Sequence, residues 1–141
     1  MEKLDKSLVF TSSIVVAPAE DIAGMWVGHC LNFDVISQGS NPNEAFEAVI
    51  EAVAMAVLDD LDAGLDPRER PSAPAEDWAL LVDAMKHGQK VRLSDVKADS
   101  RNVVLATQAT FVFEHPMQDH DGFKPFTMPS DTALINQQAA A

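Results

Sequence analysis

The sequence predicts an α+β fold: a three-stranded antiparallel meander covered by a helix, followed by a second helix, a strand pair and an irregular C-terminal arm. Three observations indicate this class. Residues 8–17 are rich in β-branched side chains, residues 42–63 carry apolar side chains at helical spacing, and residues 103–114 alternate with a period of two. The 141 residues suit one domain, or one small domain with an appendage.

The meander is predicted from three consecutive short strands. They are expected over Leu8–Ala17, Met25–Cys30 and Asp34–Gly39, with a corner at Leu31–Phe33 between the last two. A three-stranded sheet must bury one face to be stable, so the next element has to cover it.

A helix from Pro42 to about Ala63 is predicted to supply this cover. Asn41 is suited to the N-cap, Pro42 to the first helical position, and Glu44 to the third position after the cap. The side chains expected to face the sheet are Phe46, Val49, Ile50, Val53, Val57 and Leu61. The run Ala52–Leu58 is apolar all round, so it should need cover on a second side.

The remaining elements are less regular. A proline-containing linker leads to a second helix over residues 74–87, whose Trp78–Met85 stripe is expected to cover the Met55 side of the first helix. Strands are predicted over residues 91–93 and 103–114. The predicted divisions are residues 1–71, the helix and strand-pair extension 72–115, and the C-terminal arm 116–141.

Acidic residues dominate one half of the chain. The formal net charge is −12, and no Lys or Arg occurs between Ser7 and Pro67. Such a surface repels phosphate and attracts cationic partners, although a solvated acidic face that serves only solubility is an equally good interpretation. The acids of this stretch are Glu20, Asp21, Asp34, Glu44, Glu47, Glu51, Asp59, Asp60, Asp62 and Asp66.

No catalytic, cofactor-binding or metal-binding residue is predicted. His29 and Cys30 are adjacent on a strand and should point to opposite faces, so they cannot form a nucleophile pair. The spacing of His115, Asp119, His120 and Asp121 matches no established metal site.

The sequence is typical of a cytoplasmic protein. Residues 1–6 lack the apolar segment of a secretory signal, and the longest apolar run, Ala52–Leu58, is far short of the ~20 residues that span a bilayer. Cys30 is the only cysteine, which excludes an intramolecular disulfide and fits a reducing compartment.

Two adjoining motifs resemble the N-terminal domain of HicB-like antitoxins. The first is His29-Cys30-Leu31-Asn32-Phe33-Asp34-Val35-Ile36-Ser37-Gln38-Gly39, and the second is Asn43-Glu44-Ala45-Phe46-Glu47-Ala48-Val49-Ile50-Glu51-Ala52. In that family, a strand of the first type leads into a helix of the second type. The resemblance covers roughly Leu8 to Pro71, about half of the chain.

The resemblance implies a partial ribonuclease H-like fold that binds a small, basic HicA-type toxin, an RNA-cleaving protein. The acidic domain would occupy the toxin's cationic RNA-binding face, and the side chains expected to contact it are Asp34, Glu44, Glu47 and Glu51. Two-metal nucleases need several converging carboxylates. The first strand carries no acid and Asp34 alone cannot hold two metals, so we expect no catalysis.

Two further expectations concern assembly and DNA. The strand at residues 103–114 is expected to be open and to pair across a homo-oligomer interface that includes Val103, Leu105, Phe111 and Phe113. HicB antitoxins often add a DNA-binding domain, but no two-helix recognition unit follows Pro71, so operator binding is not expected. The alternative function is a stand-alone HicB-like assembly protein without a toxin.

Overall fold

The computed structural model describes residues 8–87, 89–98 and 102–113. It confirms the predicted α+β class and the antiparallel meander. The elements are β1 (Leu8–Pro18), β2 (Trp26–Cys30), β3 (Val35–Gly39), α1 (Pro42–Asp62), a short 3-10 helix (Pro67–Glu69), α2 (Ala75–Lys86), β4 (Lys90–Ala98) and β5 (Val103–Phe111).

All five strands form one mixed sheet in the order β3-β2-β1-β5-β4. β5 runs parallel to β1, from Leu8 opposite Val103 to Val16 opposite Phe111, and antiparallel to β4 on its other side. The expectation that β5 is an open strand is therefore wrong. One hydrophobic cluster extends across the predicted division at Pro71, because it combines Phe10 and Val49 with Leu105 and Phe111.

Helix α1 begins where the local sequence predicts. The Asn41 side chain accepts a hydrogen bond from the Glu44 N–H at 2.9 Å, and Pro42 occupies the first turn. The helix packs mainly on β3 and β2 with Ala45, Val49, Val53 and other apolar side chains of its buried side. Gly64, with a φ of 77°, follows its end.

Helix α2 lies on the opposite face of the sheet, so the prediction that it covers the Met55 side of α1 is wrong. Its Leu81 packs with Leu31, Ala73 and Val15, which belong to a second, smaller cluster. Met55 remains 61% exposed. The linker is fixed to the corner between β2 and β3, because the Ala73 N–H donates to the Leu31 carbonyl at 2.8 Å.

An ion pair joins the end of α1 to the linker. The Arg70 guanidinium donates to both carboxylate oxygens of Asp60, with Nε–Oδ2 at 2.6 Å and Nη2–Oδ1 at 3.1 Å. Only 12% of the Asp60 side chain is exposed. Bidentate geometry makes this a strong contact, and it removes Asp60 from the acidic surface that the sequence predicts.

Thr110 on β5 lies on the face of the sheet that α2 covers, beside Val15 of β1. Its side chain is fully buried, and its Oγ1 has no hydrogen-bond partner among the described residues. Burying a hydroxyl without a partner costs about 1–3 kcal/mol. We therefore expect Thr110→Val to raise the free energy of unfolding by about 1 kcal/mol, measured by urea denaturation. A loss of stability would show that the hydroxyl is satisfied in solution, and Thr107→Val, whose Oγ1 donates to the Leu105 carbonyl, is the destabilised control.

No helix within the described ranges is long and apolar enough to cross a membrane. The predicted C-terminal arm and the residues His115, Asp119, His120 and Asp121 lie outside the described residues.

Candidate protein-binding site

The outer side of α1 is an acidic stripe with an apolar end. Glu44, Glu47 and Glu51 are all exposed and follow one another at intervals of three or four residues. Met55 continues this spacing and is 61% exposed. We call these four residues the α1 stripe. Three of the four acids expected to contact a partner are thus aligned and exposed, and Met55, which was expected to lie under α2, adds an exposed thioether.

Glu44 is held in place by the residue that follows β3. Its Oε1 accepts hydrogen bonds from the Ser40 hydroxyl and from the Ser40 N–H, the latter at 3.0 Å. These two hydrogen bonds lower the pKa of the Glu44 carboxyl below its usual value. The carboxylate is therefore ionised at neutral pH and lies beside the C-terminal end of β3.

Asp34 lies at the other end of β3. It has a left-handed backbone, with a φ of 56°, in the corner between β2 and β3. Its Oδ1 lies 2.7 Å from Nε2 of His29, and 42% of its side chain is exposed. The predicted partner-binding acids thus divide into two sets: Asp34 lies before β3, and the acids of the α1 stripe begin beside its other end.

The two edge strands of the sheet differ in charge. β4 carries Lys90, Arg92, Asp95 and Lys97 among its nine residues, whereas the five residues of β3, Val-Ile-Ser-Gln-Gly, include neither a charge nor a proline. Sequence reasoning did not identify β3 as an edge. Charged side chains commonly protect the edge strand of a sheet, so the charges of β4 could have identified β4 as an edge. The uncharged sequence of β3 carries no such signal.

The predicted oligomer residues occupy the core of the chain itself. Val103, Leu105, Phe111 and Phe113 are each no more than 3% exposed. Phe111 lies 5.9 Å from the ring of Phe46 and 6.5 Å from that of Phe113. These side chains therefore have no surface left for a subunit contact, and the interface predicted on them is wrong.

His29 and Cys30 point to opposite faces, as the strand geometry predicts. Cys30 is fully buried in the core under α1, where desolvation raises the pKa of its thiol. His29 lines a hollow of about 280 Å³ on the other face, together with Val15, Ala17 and Leu80. A buried thiol with a raised pKa is a poor nucleophile, and the neighbouring imidazole lies on the other side of the sheet.

The basic residues Arg92 and Lys97 of β4 lie on opposite faces of the sheet. The guanidinium of Arg92 lies over the rings of Phe46 and Phe111, at 5.2 and 5.0 Å from their centroids, and donates to the Asn43 side chain at 2.9 Å. Lys97 projects from the opposite face of the sheet, because it lies five positions after Arg92 on the strand and side chains alternate between the two faces.

Comparisons of the chain with protein-family models, with curated proteins and with solved structures find no match. The resemblance to HicB-like antitoxins therefore depends on the two quoted motifs alone.

Proposed function

We propose that the chain is a non-catalytic, HicB-like binding module of the cytoplasm that docks a basic protein on the α1 stripe. The observation that carries this proposal is the exposure of Glu44, Glu47 and Glu51 in line with Met55. Exposed carboxylates attract and orient a cationic surface, and an adjacent apolar side chain provides area to bury on contact.

The partner that the resemblance favours is a small, basic HicA-type toxin. The α1 stripe would cover the cationic face with which such a toxin holds RNA, so substrate and antitoxin would compete for the same surface. The negative field over residues 8–66, which contain no Lys or Arg, would speed the encounter. Salt should weaken this association by screening the charges.

Charge reversal on α1 tests the proposal. We expect Glu47→Lys combined with Glu51→Lys to weaken inhibition of RNA cleavage by a small, basic HicA-type toxin about tenfold or more, because two attractive contacts become repulsive. The matched control is Glu69→Lys with Glu76→Lys, which changes the net charge equally at exposed acids away from the stripe. Equal weakening by both pairs, or cleavage unaffected by the unmodified chain, would contradict the proposal.

A homo-oligomeric assembly protein is the second candidate, and α2 favours it. Leu80, Val82 and Met85 are 63%, 50% and 48% exposed on this one helix. Exposed apolar side chains concentrated on one element are typical of protein contacts. We expect light scattering at micromolar concentration to give at least a dimer, and Leu80→Lys with Met85→Lys to reduce it to a monomer. A monomeric unmodified chain would exclude this candidate.

A further inference from the structure

We infer that the outer edge of β3 is a strand-addition site that accepts an extended, basic segment of the partner protein. The inference rests on the proposed function for the basic character of the partner. It adds a binding mode, main-chain hydrogen bonding to a sheet edge, that the α1 stripe alone does not include.

The outer edge of β3 is open to a further strand. β3 is the terminal strand of the sheet and pairs only with β2 among the described residues. Along an edge strand, alternate residues direct their N–H and C=O groups outward. β3 carries no charged side chain, no proline and no bulge, which are the features that keep other chains off an edge. β4, at the opposite edge, carries four charged residues.

An acidic residue lies near each end of this edge. Asp34 lies immediately before β3, where its side chain is 42% exposed and contacts His29 of β2 through Oδ1, and the carboxylate of Glu44 is hydrogen-bonded to Ser40 immediately after β3. An added strand that spans β3 therefore meets an acid at each end and uncharged side chains between them. A segment with Lys or Arg at both ends and small or β-branched residues in the middle has the complementary pattern.

The same charges decide against a second copy of this chain as the occupant. Antiparallel pairing of two β3 strands centred on Ser37 would place Asp34 of each copy opposite Ser40 of the other. Since Ser40 binds the Glu44 carboxylate, like charges would meet at both ends of the paired strands. Each chain also has a net charge of −12.

Two substitutions at opposite edges form a matched test. Ile36 on β3 and Leu93 on β4 are 61% and 43% exposed, and their register places both on the α2 face of the sheet. Lysine at either position changes the net charge equally and should be tolerated at an exposed site. Only lysine on β3 blocks the proposed edge.

The probe is a synthetic peptide with a Val-Thr-Val-Thr-Val centre and two lysines at each end, compared with the same peptide carrying a central proline. We expect the first peptide to slow amide hydrogen exchange along residues 35–39, and the proline peptide not to do so. We expect Ile36→Lys to weaken binding about tenfold and Leu93→Lys less than about twofold.

The outcomes separate this inference from the proposed function. Equal binding of both peptides, no protection along β3, or equal weakening by the two lysine variants would overturn the inference, while the α1 charge reversal would still test the stripe. Protection of β3 without any effect of α1 charge reversal on toxin inhibition would support the edge and contradict the proposed function. A dimer of the free chain that Ile36→Lys dissociates would assign the edge to a second copy and overturn the choice of occupant.

Discussion

Phe111→Ala is expected to lower the free energy of unfolding by about 3–5 kcal/mol, the largest effect of any substitution considered for this chain. Phe111 is fully buried at the end of β5, where its ring contacts the rings of Phe46 and Phe113 and the guanidinium of Arg92. Alanine would leave a cavity bounded by two sheet strands and α1, and rigid elements collapse poorly around a cavity. Urea denaturation monitored by circular dichroism measures the loss.

Leu80→Ala is the control for this prediction. Leu80 is also a large apolar residue, but it is 63% exposed on α2, so its removal should change stability by less than about 0.5 kcal/mol. If Phe111 served a subunit interface instead of the core, its substitution would change the mass in solution and leave the monomer's stability nearly unchanged. That result would refute the placement of β5 inside the sheet.

Alanine at Gly39 or at Gly28 is expected to cost about 1–3 kcal/mol through overpacking. A β-carbon on Gly39 would lie 2.5 Å from the Ala45 nitrogen and 2.7 Å from the Glu44 carbonyl carbon. On Gly28 it would lie 2.8 Å from the Ala45 carbonyl oxygen. These are backbone atoms of the first turns of α1, so the helix as a whole must move away from the sheet.

Ser37→Ala is the matched control for the glycine substitutions. Ser37 is the β3 residue opposite Gly28 and lies two positions before Gly39 on the same face, and removing its hydroxyl adds no volume. Its effect on the urea midpoint should stay within about 0.5 kcal/mol. A Gly39→Ala variant as stable as Ser37→Ala would mean that α1 lies farther from β3 than the structure places it.

The local elements were predictable because their signals lie within a few residues of one another. Asn41, Pro42 and Glu44 determine where α1 begins, and the runs of β-branched residues locate β1 and β5. The position of each element in the sheet depends on contacts between distant residues, so local periodicity could not place β5 beside β1 or α2 on the second face. One signal was overlooked: the apolar run Val103-Val104-Leu105 opens β5 without alternation, which is typical of a strand buried on both faces, as β5 is.

The candidate site was predictable in part. Glu44, Glu47 and Glu51 lie on one side of α1 because helical spacing alone aligns them. The sequence could not show that Met55, which continues this spacing, is exposed, because its exposure depends on which face of the sheet α2 covers. Two other features of the site could not be predicted from local sequence. The edge of β3 is exposed because of the strand order of the sheet, and Asp34 contacts His29 because the corner between β2 and β3 has a left-handed backbone at Asp34.

The parallel pairing of β1 with β5 bears on how the chain folds during its synthesis. Strand β1 leaves the ribosome well before β5 and has to wait for it before its second edge is paired. The meander and α1 can assemble early, but the cluster that holds Phe10 and Ile14 lacks Leu105, Ala109 and Phe111 until β5 has emerged. Contacts between residues so far apart in sequence slow folding and prolong the exposure of apolar surface. Nascent chains that end before β5 should therefore be bound by chaperones and cleaved by proteases, whereas the chain becomes resistant once residues 103–111 have left the exit tunnel.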